Sequence, residues 1–274
     1  MIIKTLVEDT TSSESYKCIH GLCLYIETEL HKILFDLGPN DLFLKNAKKM
    51  GVNIEDIDTV IISHGHYDHG GGLKYFLKNN QKAKIYIHAS AFEPHYAGML
   101  GMKFEVGLDR KLENDNRLIR SAGILKIDDE LQLFSDIDDD KYLPKSNHKL
   151  YKKTGKQYIQ DTFEHEQNLI IRENDTYALF TACSHNGIIN IVEKAESICS
   201  QEMKYVIGGY HFYQLMLQRE DNRIFLENVA SFMTRGNTIY YTCHCTGVKV
   251  YEFMRLMMKK QLNYLSTGNE IELK

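Results

Sequence analysis

Long hydrophobic runs are missing from these 274 residues. The longest apolar stretches are of strand length, such as Thr59-Val60-Ile61-Ile62, far short of the roughly 20 residues that span a bilayer. No membrane association is expected. The opening Met1 to Glu8 meets an acid too early for a secretory signal, so a cytoplasmic location is expected. Charge excess is missing too. The chain has 33 basic and 37 acidic residues, a net −4, and no general nucleic-acid-binding surface is implied. Proline occurs only at 39, 94 and 144, and no Pro/Gly/Ser-rich linker or solenoid repeat divides the chain. A single domain over residues 1–274 is the expectation, although the length would also hold two small ones. Cys18, Cys23, Cys183, Cys199, Cys243 and Cys245 show no C-x-x-C spacing, and reduced thiols are expected.

What is present is ordinary globular composition, 43% hydrophobic and 26% charged, too apolar for disorder. Short β-branched segments alternate with helical patterns. Leu22 to Ile26 and Lys32 to Phe35 read as a hairpin pair of strands. Asp41 to Met50 reads as a helix with Leu42, Leu44, Ala47 and Met50 on its buried face. Thr59 to Ile62 and Lys84 to Ile87 read as strands, with a helix from Leu73 between them. Strand, helix, strand in that order indicates a layered α/β fold. Residues from about 91 to 167 differ. They hold short strand patterns at Gly123 to Ile127 and Leu131 to Phe134, then the polar run Asp138 to Lys156. Such a stretch is expected to be a surface excursion, and it could form a lid over a site. Beyond it, strands at Leu169 to Ile171, Tyr177 to Phe180, Tyr205 to Ile207 and Thr238 to Tyr241 alternate with helices. The helices are expected at Ile188 to Cys199, Asn222 to Met233 and Val248 to Gln261, the last with Met254, Met257 and Met258 in the core.

Three of the twelve histidines fall in one hexapeptide, His64-Gly65-His66-Tyr67-Asp68-His69, followed by Gly70-Gly71-Gly72. The run starts where a buried strand ends. Three imidazoles and a carboxylate packed this closely repel one another when protonated, and each needs a partner if buried. A divalent cation answers both problems. Two later strands run into similar loops, Cys183-Ser184-His185-Asn186-Gly187 and Cys243-His244-Cys245-Thr246-Gly247, each before a helix. Ligands gather beyond the carboxyl ends of strands in α/β folds, so the three loops point to one shared site. His31, His88, His95 and His148 read as surface or core residues.

The run His64 to Gly72 resembles the signature of the metallo-β-lactamase fold superfamily. Glu166-Gln167-Asn168-Leu169, Cys183 to Ile188, Gly208-Gly209-Tyr210-His211 and His244-Cys245-Thr246-Gly247 are similar to the branch that includes dihydropterin ribofuranosylaminobenzene phosphate synthase. His20-Gly21-Leu22 and Phe35-Asp36-Leu37-Gly38 fit that branch as well. The resemblance implies an αββα sandwich, two mixed sheets face to face with helices outside, and a dinuclear metal site at one rim. It implies that His64 and His66 hold the first metal, that Asp68 and His69 hold the second, and that His244 is a further ligand. The superfamily usually places a bridging aspartate after the strand occupied here by Tyr177 to Thr181, where this chain has Cys183-Ser184-His185. His185 is taken as the remaining ligand of the first metal, with Cys183 as a thiolate alternative. His165, His211 and His20 are further candidates for metal or substrate.

Two divalent ions are expected, zinc first, with manganese or iron as alternatives. They would supply hydroxide near neutral pH, with Asp68 as the catalytic group orienting it or passing its proton on. The helices after His185 and His244 favour an anion at their N-termini. The expected partner is a small molecule, phosphorylated or ester-like, and the expected reaction its hydrolysis. A β-lactam is disfavoured for a chain without an export signal. Two other readings stay open: a transferase joining a pterin to an arylamine ribofuranosyl phosphate, and a metal-binding ligand sensor without turnover.

Overall fold

The computed structural model describes residues 1–274. Two seven-stranded sheets form the body. In spatial order the first runs Glu270–Glu272, Ile2–Val7, Cys23–Glu27, Lys32–Phe35, Thr59–Ile62, Lys84–His88 and Leu118–Ser121. The second runs Leu262–Tyr264, Ile239–Thr242, Tyr205–Gly208, Thr176–Phe180, Asn168–Glu173, Leu131–Phe134 and Ile124–Lys126. Each sheet is mixed. Lys32–Phe35, Thr59–Ile62 and Lys84–His88 are parallel neighbours in the first, and Thr176–Phe180, Tyr205–Gly208 and Ile239–Thr242 in the second.

Three apolar layers explain the arrangement. Ile33, Phe35 and Ile61 of the first sheet meet Leu133, Leu169, Phe180 and Ile207 of the second in the central layer. Strand alternation sends Leu34, Val60 and Ile62 to the opposite face, where they pack with Phe43, Ala47 and Phe76 from the helices Leu42–Lys49 and Leu73–Asn79. On the far side Leu179, Val206 and Tyr240 meet Ile191, Leu226 and Met254 of the helices Ile188–Cys199, Glu220–Met233 and Val248–Met258. The result is the αββα sandwich. Strands covered on both faces carry continuous apolar runs, and Thr59–Ile62 is buried at all four positions. No helix is long and apolar enough to cross a membrane, and all six cysteines are free.

Three details differ from the sequence expectations. The first helix buries Phe43 and Asn46, while Leu44 and Met50 are only half-buried. Asn46 is drawn inside because its amide donates to the carbonyls of Leu6 and Lys17, at 2.7 and 2.8 Å. The final α-helix ends at Met258, where Lys259 takes a positive φ, and it leaves Met257 half-buried. Residues 91–167 supply strands to both main sheets as well as a segment that stands apart. Leu118–Ser121 joins the first sheet, Ile124–Lys126 and Leu131–Phe134 join the second, and only the remainder stands apart. That remainder pairs Gln157–Gln160, Leu150–Thr154, His95–Met99 and Met102–Glu105 into a separate antiparallel sheet. Buried Leu131 and Leu133 anchor the part that returns to the core.

Candidate metal centre

The strand Thr59–Ile62 delivers the chain to Ser63, where Asp36 organises the loop that follows. Ser63 donates its backbone N–H to Asp36 Oδ1 and its hydroxyl to Oδ2, both at 2.8 Å. His69 Nδ1 donates to the same Oδ2 at 2.7 Å. With its Nδ1 so engaged, His69 turns Nε2 to the site, 3.2 Å from Cys183 Sγ and 3.4 Å from Asp68 Oδ2. The Ser63 hydroxyl, having given its proton to Asp36, accepts from His64 Nδ1 at 2.8 Å. His64 Nε2 is thereby left with its lone pair, 3.0 Å from His66 Nδ1. Gly65 permits the fold of the loop, because a Cβ there would lie 2.3 Å from the Ala91 carbonyl oxygen. The hexapeptide is not all loop: Tyr67–Gly70 makes one helical turn.

Loops from the second sheet complete the site. After Thr176–Phe180, His185 and Asn186 donate backbone N–H groups to the two oxygens of Glu166, at 2.7 and 2.9 Å. The His185 ring stacks on Phe163 at 4.3 Å and 3°, and its Nδ1 lies 3.1 Å from Asn147 Oδ1. After Ile239–Thr242, His244 donates its backbone N–H to Glu8 and its Nδ1–H to Asp9, both at 2.6 Å. Its Nε2 then faces Asp68 Oδ2 at 3.5 Å. His20 reaches the same oxygen at 3.5 Å and Asp9 at 2.8 Å, from a half-exposed position.

Two candidate ligand groups emerge. His64, Cys183 and His185 offer donor atoms within 4.8 Å of one another, and so do His69, Cys183 and His244. Cys183 belongs to both, at the position where a bridging aspartate was expected. The structure therefore brings in Cys183 and His185 together rather than one in place of the other. His211 and Cys245 approach Cys183 from the strand-end loops on its other side. His165 lies apart from these two groups. Its ring stacks near His64 and His95 but does not line the cavity, and it lies with His95 and Asp161 behind His66.

Burial pushes His64, His66 and His185 well below the ordinary imidazole range, so they present neutral nitrogens. Burial alone would raise Asp68, but His69 and His244 outweigh it and hold the carboxylate ionised. For His69 burial acts downward, while the charges of Asp68 and Asp36 prevail and lift it to about 9. The buried nitrogens His185 Nε2 and His244 Nε2 have no hydrogen-bond partner. Unpartnered buried imidazoles, an ionised carboxylate and a thiol are a donor set suited to a zinc-like divalent cation.

The profile of the metallo-beta-lactamase superfamily matches residues 17–144. The chain is 31% identical to an uncharacterised protein of Methanocaldococcus jannaschii, over 98% of this chain and 97% of the other. A solved structure described as Tm1679, a metal-dependent hydrolase of the beta-lactamase superfamily, superposes with a TM-score of 0.83. It covers 100% of this chain and 99% of its own, at 26% identity. The chain belongs to the metallo-beta-lactamase superfamily. A second M. jannaschii relative, 28% identical over 98% of this chain and 96% of its own, is named 7,8-dihydropterin-6-methyl-4-(beta-D-ribofuranosyl)-aminobenzene-5'-phosphate synthase.

As in other α/β proteins with ligands beyond their strand ends, the superfamily fold here opens its ligand groups onto a cavity. The cavity measures about 210 Å³ and is floored by His66, Asp68, Cys183, His185, His211 and His244. Tyr67, Tyr213 and His20 stand at its side, and Ala97, Val106 and Leu150 form an apolar wall from the separate sheet region. Sequence reasoning gave no role to Glu8, Asp9, Asp36, Asp161, Glu166 or His95. Asp36 and Glu166 lie in segments that carried the family resemblance. His95 and Asp161 have no local pattern that could have flagged them.

Proposed function

We propose that this protein is a dinuclear metal-dependent hydrolase of a small phosphorylated or ester-like substrate. One observation carries the reading: two buried ligand groups share Cys183 and open onto a single cavity. His64, His66 and His185 hold the first cation, and Asp68, His69 and His244 the second, with Cys183 between them. Zinc suits this mixture of imidazole, carboxylate and thiolate, with manganese or iron the harder alternatives. Bound by these residues, two divalent cations would supply a water of near-neutral pKa and would polarise the bond under attack. Asp68, ionised and aimed between His69 and His244, orients the attacking water and takes its proton. Asp36 and Asp9 fix the rings of His69 and His244 from behind.

Support for an anionic substrate comes from the helices Ile188–Cys199 and Val248–Met258, which start directly after the ligand loops. The cavity wall contains no lysine or arginine, so substrate charge would be met by the cations, the imidazoles and those helix ends. Ala97, Val106 and Leu150 act as a lid edge for the apolar part of the substrate. A transferase is the second reading, favoured by the synthase relative that matches along nearly the whole chain.

Protein purified without chelators is expected to carry two divalent ions by elemental analysis. No metal above background after reconstitution would end the reading. A metal-loaded sample assayed on phosphodiesters, lactones and thioesters should turn over at least one class, with loss on chelation and recovery on readdition. Product formation only when a dihydropterin and an arylamine ribofuranosyl phosphate are supplied together would decide for the transferase.

A further inference from the structure

Behind His66, away from the cavity, lie His95, Asp161 and His165, all buried. Together with His66 they place donor atoms within 4.8 Å of one another. Three nitrogens here, His66 Nε2, His95 Nε2 and His165 Nε2, have no hydrogen-bond partner. The composition suggests a third cation, but the protons count against it. His165 Nδ1 accepts the backbone N–H of Gly65 at 3.0 Å, so the neutral ring carries its proton on Nε2 and has no lone pair there to give. His95 Nδ1 donates to Asp161 Oδ2 at 2.8 Å, which leaves a lone pair on Nε2. His66 turns Nδ1 toward His64 Nε2, so as a metal ligand it keeps its proton on Nε2. Two N–H groups and one lone pair converge. That set is suited to hydrogen bonding, not to a coordination shell.

We propose that His95 and Asp161 are positioning residues for His66. Asp161 holds the Nδ1–H of His95, and His95 Nε2 accepts the Nε2–H of His66 through one bridging water. The chain from carboxylate to imidazole to imidazole fixes the ring plane and tautomer of His66, so that Nδ1 is offered to the first metal. Asp161 is itself fixed, since its Oδ1 accepts the Phe163 N–H at 2.9 Å and its Oδ2 lies 3.4 Å from His165 Nε2. His95, Asp161 and His165 do not line the cavity, whereas His66 does, so their effect must pass through His66. The inference rests on the metal reading above.

The test compares wild type with Asp161→Asn and His95→Phe, using competition between the protein and a chromophoric chelator for zinc and for cobalt. Outer-shell losses typically lower metal affinity by roughly 10–100-fold. That loss is expected in both variants for one of the two metals, with the other unchanged. Long-range ¹H–¹⁵N spectra of the zinc protein should show a protected Nε2–H on His66 in wild type and lose that protection in the variants. Unfolding midpoints of the metal-free proteins separate a damaged fold from a misplaced ligand. Wild-type affinity for both metals in both variants overturns the proposal, as does equal weakening of the two metals. A third equivalent of metal, lost in the variants, also overturns it and makes the cluster a site. If wild type binds no metal at all, the functional reading fails and this inference falls with it.

Discussion

Cys183 is held between His69 on one side and the pair His64 and His185 on the other. Metal binding would draw a thiolate from it, although burial pushes its thiol well above the ordinary range in the metal-free chain; bound cations reverse that balance. Cys183→Ser is expected to weaken both metals, and a cobalt-substituted sample should lose a thiolate-to-metal absorption band. His185→Ala should weaken only the first metal. If Cys183→Ser retained both metals at wild-type affinity, the sulfur would be a neighbour and the imidazole alone would complete the first group. Asp68→Ala is expected to abolish turnover while leaving circular dichroism unchanged, because the fold rests on the apolar layers and not on this side chain. Rates near wild type would demote Asp68 to a spectator. The residue types for these roles were legible locally, since three histidines and an aspartate in six residues have few other uses. The partners that aim them were not. Asp36 lies 33 residues from the ring it fixes, and Asp9 lies 235 residues from His244.

At the scale of elements, the site exists because parallel strands of two sheets end at the same rim. Strand and helix periods located the central strands of both sheets and the main helices in advance, but not the strands Ile2–Val7, Leu118–Ser121, Leu262–Tyr264 and Glu270–Glu272. The separate sheet was missed because its members are weak locally: Gln157–Gln160 is exposed throughout and Met102–Glu105 nearly so. It is recognisable only once Leu150–Thr154 has found His95–Met99. Leu150→Ala should raise KM for the substrate found by the panel while metal content stays at the wild-type value. An unchanged KM would remove this sheet from substrate binding. The second sheet also depends on close approach at Gly208, whose φ is +150 and whose Cβ would lie 1.9 Å from the Thr181 carbonyl oxygen. Gly208→Ala should cost about 1–3 kcal/mol of stability in urea unfolding, the usual range for forcing extra volume into a packed region.

For the whole molecule, the cost of holding so many neutral histidines inside sets a pH dependence. Burial keeps His64, His66, His88 and His185 below the ordinary imidazole range, and His165 at about 4. Each binds a proton more readily when unfolded. The stability associated with them is present above the unfolded value of about 6.5 and is lost as pH falls toward the folded values. His69 and His244 are raised, and burial lifts Glu166 to about 7; these three act in the opposite sense, but they are fewer. The urea midpoint of the metal-free protein should therefore fall between about pH 7 and about pH 5. A midpoint that held or rose would mean that the raised groups dominate.

The sequence by itself determined the α/β layering, most element positions and the hexapeptide as the heart of the proposed site. These are local properties, written in periods of two and 3.6 residues and in the density of one residue type. The tertiary structure alone decided four things: that Cys183 lies between the two ligand groups, that His165 turns behind His66, that His95 and Asp161 stand with it, and that residues 91–167 divide among three sheets. Each depends on which strand ends become neighbours when two sheets close on a shared core. Gly65 and His165 meet across 100 residues, and no spacing along the chain encodes that meeting.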